Sequence, residues 1–504
     1  MIVLICYHSF DKQIYGGTNM RTTKIAPATP FSGAPKINLA SIFGASPNKP
    51  FLLRIPVTGK RPIRYDAQNL PDGLTLRDNI ITGQVSKAGV YEIVLTAENS
   101  LGKAEKAVTL EIEPNHVIVT PLLGFTTWNA FSSRVTQKDM LDTAHNLVKH
   151  GLSEYGYRYV NLDSGWQYEY GGELDAIQPN PKFPDMKAMT DEIHSLGLKC
   201  GIYSTPMLTA WGCPEEYKSI PGCTQGEPDI RYTQTNGGIG VIHKEENNAK
   251  QWEEWGFDYL KYDWSPTDTV NAELMRQELM KLNRDFGFCV TVNALYQYIS
   301  YWSGYCNSYR NNGDSRGFWE NLLQIYNTYD GYEKHMNKGH YYDLDMLDVG
   351  KCVFRNRDNF LTEDEQIVSY SMRAFLNSPI QLSAVLDEIS DFDLALYCNE
   401  EIIAINQDTA FAPSIPVFRY KKDEVILDIY EKLLADGSYA YAFFNMGETS
   451  ENVNTIFSEK SNLRDVWAKE NLGALDTLTF TMPKHTVRII KSEKKATSFS
   501  LCDI

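Results

Sequence analysis

Phe257-Asp258-Tyr259-Leu260-Lys261-Tyr262-Asp263 is the stretch on which the fold turns, largely apolar and aromatic and closed by an aspartate. Seven other runs of this kind occur along the chain: LLGFTTW (122–128), YRYVNLD (157–163), LKCGIYS (198–204), FCVTVNA (288–294), YCNSYRN (305–311), HYYDLDML (340–347) and SPIQLSA (378–384). Several intervals between them carry helical patterns, among them KDMLDTAHNLVKHGL (138–152), MKAMTDEIHSLGL (186–198), ENNAKQWEEWGF (246–257), NAELMRQELMKLNRDFG (271–287) and DEQIVSYSMRAFLN (364–377). Apolar runs alternating with helices predict parallel strands joined by crossover helices, and eight of them predict a (β/α)8 TIM barrel over residues 117–410. No glycine-rich phosphate loop follows any run, so the main reason to prefer a nucleotide-binding doubly wound sheet is absent.

The flanks read differently. Residues 1–30 lack periodicity and lead into Pro27, Pro30 and Pro35, the pattern of a flexible N-terminal tail. Over residues 31–116 short strands alternate with turns, and the period-two patterns VYEIVLTAE and AVTLEIE put one face inward. That predicts a small antiparallel β-sandwich. Over residues 411–504 the runs VFRYKKDEVILDIYEKL, GSYAYAFFNM, NVNTIF and HTVRIIKS predict a C-terminal antiparallel β-sandwich.

With 504 residues the chain is long enough for two or three domains, and 43% hydrophobic with 22% charged residues is ordinary globular composition. A net charge of −16 repels polyanions, so nucleic acid is excluded as a partner and a neutral or cationic substrate fits. The 30 tyrosines and 9 tryptophans supply amphipathic rings of the type that stack on sugars. Nine cysteines are too few for a disulfide scaffold, although Cys213 and Cys223 flank a Gly/Pro-rich loop and are candidates for one local bridge. No apolar stretch is long enough to span a membrane. The apolar Met1–Cys6 is at most a fragment of an export signal, and secreted or periplasmic placement is expected from the architecture.

In a barrel of this type chemistry sits at the C-terminal strand ends, and here those ends are repeatedly aspartate: Asp163, Asp263, Asp314 beyond the sixth run, and Asp343 with Asp345 in the seventh. A single one could cap the following helix. Several at successive strand ends point to a site. Residues two apart in a strand face the same way, so Lys261 and Asp263 project together. The ammonium is expected to lower the Asp263 pKa and keep it charged, as a nucleophile requires. Asp314, from a loop two strands away, is the second carboxylate of a retaining pair, the arrangement in which the two groups stand about 5 to 5.5 Å apart.

Taken in order, GFTTWNAF, GYRYVNLDSGWQ, KFPDMKAMTDEIHSLGLKCGIYS, WGFDYLKYDW, YRNNGDS, GHYYDLDMLDVG and EEIIAINQD resemble the motifs of the family 27 glycoside hydrolases, the α-galactosidases and α-N-acetylgalactosaminidases. The resemblance covers about residues 118–410 and continues into the family's C-terminal β-sandwich. LPDGLTL followed by ITG resembles the Ig-like modules that precede catalytic domains in bacterial glycosidases. The resemblance implies that Asp263 is the nucleophile and Asp314 the acid/base. It further implies substrate contacts from Trp128, Asp163, Tyr203, Lys261, Arg310, Asp345 and Met346, with no cofactor. Two positions depart from the family pattern. Ser164 stands where a second aspartate is usual, and Asn293 lies in a Val-Asn-Ala-Leu-Tyr segment in place of the usual Cys-Glu-Trp or similar. Both positions are expected to read the sugar by neutral rather than charged hydrogen bonds.

The function implied is a retaining exo-glycosidase that removes terminal α-galactosyl residues from oligo- or polysaccharides. A β-L-arabinopyranosidase or other pyranosidase of the family is the alternative within enzymes. A carbohydrate-binding protein that has lost catalysis is the alternative outside them, and it predicts that one of the two carboxylates is missing. His340 beside Asp343 and Asp345 is not a recognised metal-ligand spacing, so no metal is expected.

Overall fold

The computed structural model describes residues 21–352 and 360–502. Its centre is an eight-stranded parallel sheet whose strands follow one another in chain order: Leu123–Thr126, Tyr159–Asn161, Lys199–Ser204, Tyr259–Asp263, Gly287–Thr291, Ser308–Tyr309, Tyr341–Tyr342 and Ile380–Leu382. The eighth strand pairs with the first, and a parallel bridge from Leu347 to Leu382 spans the seam beside the seventh. The sheet therefore curls into a TIM-like barrel, each strand falling on one of the eight predicted runs, the fifth beginning one residue early at Gly287.

Local chemistry fixes the intervening helices. Thr136 and Asp139 form a capping box on Gln137–Lys149, Asp185 caps Met186–Ser195, Asp268 caps Thr269–Lys281, and Thr362 with Glu365 caps Glu363–Phe375. Glu245–Trp255 stops at left-handed Gly256, which turns the chain directly into the fourth strand. Inside the barrel, Tyr159, Tyr259 and Cys289 pack with Ile118 and Leu122 at the N-terminal end. Close packing there demands Gly201, since a Cβ would come within 2.1 Å of Asn161 Oδ1.

Preceding the barrel, a four-stranded and a three-stranded sheet enclose a separate core around Ile55, Val57, Leu95 and Leu110. One strand departs from the antiparallel expectation: Ile42–Ala45 runs parallel to Gly102–Ile112. These sheets dock on the barrel through Glu154, a buried carboxylate that pairs with Arg54 at 2.8 Å and Arg61 at 3.3 Å and accepts from the Val57 amide at 3.0 Å. After the barrel comes a seven-stranded antiparallel β-sandwich domain. It is held by Trp467 Nε1 donating to Ser371 Oγ at 2.9 Å and by His485 stacked on Trp319 at 3.9 Å.

Residues 21–30 are not a free tail. Ile25 is buried, the Ala26 amide donates to the Trp467 carbonyl at 2.9 Å, and the Thr22 and Thr23 amides both donate to Asp364 at 2.8 Å. A polar segment without periodicity was enough to suggest a tail, but its partners are more than 300 residues away. The Met1–Cys6 run lies outside the described residues. Among the described residues no helix is long and apolar enough to cross a membrane.

Candidate active site

The C-terminal ends of the barrel strands open into a cavity of about 360 Å³ lined by Trp128, Asp163, Ser164, Tyr203, Lys261, Asp263 and Asp314, together with Trp211, Asn236, Ser265, Val292, Gly313 and Arg316. Period two in the fourth strand turns Lys261 and Asp263 into it and sends Leu260 and Tyr262 outward into the packing layer. Tyr203 lies directly opposite Lys261 in the third strand. The ammonium sits 5.7 Å from the centre of the Tyr203 ring.

Lys261 does not pair with Asp263. Its Nζ lies 2.7 Å from Asp163 Oδ2, whose carboxylate also receives the Ser164 amide on Oδ1 at 2.8 Å. Burial alone would lower the lysine pKa, but Asp163 and then Asp263 hold it above its ordinary value. Asp263 Oδ1 and the Tyr203 hydroxyl are buried close to one another, neither in good hydrogen-bond geometry with a partner among the described residues. Two unpaired polar atoms facing one cavity are what a site awaiting a polar ligand presents. Burial pushes the Asp263 carboxyl up to about 7; Lys261 and Arg310 oppose this, and Asp314 and Asp163 reinforce it. The expectation of a lowered pKa is therefore overturned: Lys261 does draw the Asp263 carboxyl down, but burial outweighs it.

Asp314 differs in environment. Its side chain is 46% exposed at the mouth, and Arg310 reaches its Oδ1 from both terminal nitrogens at 3.2 Å. What burial there is would raise its pKa, but Arg310 and Lys261 win and keep the carboxyl below its usual value. The two carboxylates thus stand in contrasting environments, Asp263 pushed up by burial and Asp314 held down by Arg310 and Lys261, so that of the pair Asp263 takes a proton more readily.

Arg310, Asp345 and Met346 do not line the main cavity. With Lys261 they surround a small void of about 10 Å³ beneath it, where Arg310 NH1 pairs with Asp345 Oδ1 at 3.0 Å. Asn293 lines neither space; its amide donates to Ser265 Oγ at 2.5 Å, and Ser265 is the residue on the wall. The Ser164 hydroxyl donates to the Trp211 carbonyl. Asp343 is buried and raised to about 6 by that burial and by Asp345. His340 points elsewhere, its Nδ1 donating to the Cys306 carbonyl at 2.8 Å.

Cys213 and Cys223 are free thiols, which corrects the disulfide suggested by their flanking loop. Cys223 is buried against Ser204 Oγ at 3.1 Å, and Cys213 donates to the carbonyls of Pro214 and Tyr217 at 3.4 Å. Trp211 and Asn236 were missed by sequence reasoning because the long excursion after the third strand has no periodicity; a tryptophan amid glycine and proline was the available signal.

Comparison with known proteins gives the family of the chain. Residues 120–226 and 227–408 match the family model described as alpha galactosidase A, and residues 426–492 match that of the alpha galactosidase C-terminal beta sandwich domain. The chain is similar to alpha-galactosidase A of Cellvibrio japonicus, 29% identical over 409 residues, covering 74% of this chain and 91% of that one. It is similar in structure to a Bacteroides fragilis protein of the alpha-galactosidase/melibiase type, with TM-score 0.80, 26% identity and coverage of 92% and 99%. Alpha-galactosidase I of Mortierella vinacea aligns with TM-score 0.64 and 26% identity over 76% of this chain and 99% of that one.

Proposed function

Given that the chain belongs to the alpha galactosidase A family of glycoside hydrolases, family 27, we propose that it is a retaining exo-α-galactosidase in which Asp263 is the nucleophile and Asp314 the acid/base. The observation that carries this reading is the pair itself, two carboxylates in contrasting environments on one cavity. A terminal galactosyl ring enters with its hydroxyls toward Asp163, Lys261 and Tyr203 and a ring face toward Trp128 or Trp211. The aglycone covers Asp314, which Arg310 and Lys261 had kept ionised, and the added burial raises its pKa so that it takes the proton Asp263 gives up. Asp263 then attacks the anomeric carbon while Asp314 protonates the departing oxygen. In the second step Asp314 removes a proton from water, which displaces Asp263 and releases galactose as the α-anomer.

Both carboxylates are present, so the inactive binding-protein reading lacks the missing residue it requires. The relatives reported above carry α-galactosidase names, and the arabinopyranosidase alternative is correspondingly not favoured. We read residues 31–116 as an Ig-like module, 117–410 as the catalytic domain and 411–504 as the C-terminal sandwich. Secretion from a bacterial cell belongs to the same reading, and oligo- or polysaccharides ending in α-galactose are the expected substrates.

Azide rescue on an aryl α-galactoside tests the assignment. Asp263→Ala should lose turnover and regain it with azide as β-galactosyl azide. Asp314→Ala should yield α-galactosyl azide from the covalent intermediate. Full activity without azide in either variant would refute the roles.

A further inference from the structure

Arg373 lies in the helix Glu363–Phe375, wholly buried, and touches neither cavity. Among the described residues no carboxylate stands within ion-pair distance of it; Asp345, Asp348 and Asp343 act on its charge from farther off, and its hydrogen bonds go to four carbonyls and to the hydroxyls of Ser369 and Ser315. Nε donates to Asp345 O at 2.8 Å, and NH2 donates to Leu344 O at 2.9 Å and Met346 O at 3.0 Å. NH1 donates to Ser369 O at 3.0 Å and Oγ at 2.9 Å, anchoring the fork to its own helix. Burying a guanidinium is costly, and an apolar side chain would fill a core position at less expense. This one converges on three successive carbonyls of a single turn.

That turn holds Asp345 at φ +67°, a left-handed conformation that a non-glycine residue adopts only when its surroundings impose it. In this pose the Asp345 carboxylate accepts the Ser315 amide at 2.6 Å and pairs with Arg310 at 3.0 Å. Ser315 is the neighbour of Asp314 in the chain, and Arg310 holds the Asp314 carboxylate at 3.2 Å. Asp345 thus grips the backbone beside Asp314 and the cation that faces it. We infer that Arg373 is a positioning residue for the acid/base, acting through the Leu344–Met346 turn, Asp345 and Arg310 on Asp314. The inference rests on the assignment of Asp314 made above.

Leaving-group dependence tests it. An alkyl α-galactoside needs its departing oxygen protonated, whereas a dinitrophenyl α-galactoside leaves with little help. Arg373→Met should lower kcat/KM on the alkyl substrate by about 10- to 100-fold, part of the effect of general acid catalysis, and leave the dinitrophenyl substrate within about threefold. Arg373→Lys, which keeps the charge but loses the fork, should fall between wild type and Arg373→Met. Ser369→Ala, which removes one anchor and should fold normally, should move the same ratio by a smaller factor. Equal loss on both substrates in these variants would mean a merely structural role and overturn the inference. Asp314→Ala, run in parallel, separates the two claims. If it is selective while the Arg373 variants are not, this inference alone fails; if it loses both substrates equally, the acid/base assignment fails and takes this inference with it.

Discussion

Replacing Asp263 by Asn should stabilise the protein, and should do so only where the carboxylate would be ionised. Asp263 is buried, makes no hydrogen bond through Oδ1 and has its pKa raised from 3.8 to about 7. A raised carboxyl pKa means that the folded state binds the proton more tightly than the unfolded one. The folded state therefore bears no penalty below pH 3.8, an increasing one up to about 7 and a constant one above. At 1.36 kcal/mol per pKa unit the full penalty is about 4 kcal/mol. The new amide has N–H groups with no acceptor in place, which takes back about 1 to 3 kcal/mol, so a net gain of about 1 to 3 kcal/mol remains at pH 8. Urea unfolding of wild type and Asp263→Asn at pH 4.5 and pH 8.0 measures it, with the variant's advantage expected to grow by several kcal/mol between the two. An equal difference at both pH values would show that the carboxylate is not destabilised by burial, and the reasoning about its proton would fall.

The same proton predicts the pH dependence of kcat/KM. The reactive free enzyme carries one proton on the carboxylate pair, so activity should hold across mildly acidic pH and fall above about 7 as Asp263 loses its proton; a profile still rising through pH 8 would contradict this. Because the cysteines among the described residues are free, a reductant should leave the unfolding midpoint unchanged, and a fall with dithiothreitol would restore the Cys213–Cys223 bridge. Glu154→Ala leaves Arg54 and the Val57 amide facing a buried gap, so it should cost about 3 to 5 kcal/mol and expose the N-terminal domain junction to limited proteolysis, whereas Glu154→Gln should cost less.

The barrel was legible because each strand is a short apolar run whose end turns polar, a local signal that needs no knowledge of partners. Lys261 and Asp263 could be placed in one cavity by strand period alone. Which carboxylate the ammonium would choose depends on Asp163, 98 residues earlier, and sequence adjacency gave the wrong partner. Asp345 could be placed at a strand end and Arg310 was implied by the family resemblance, but the pairing of their charges beneath the cavity is decided only by the three-dimensional register. The strand Glu470–Met482 went unread although Leu478, Phe480 and Met482 alternate with threonines at its end, because its first half is mostly exposed and carries only Leu472 and Leu475 without a period of two. Trp211 and Asn236 sit in a segment without period, where only a fold brings the chain back over the cavity.

The anomeric form of the first product tests the account most directly. Proton NMR during rapid hydrolysis of an aryl α-galactoside should show α-galactopyranose appearing first and mutarotating slowly to the β-anomer, as two displacements through a galactosyl–Asp263 intermediate require. Initial release of the β-anomer would mean a single displacement by water and would contradict Asp263 as nucleophile.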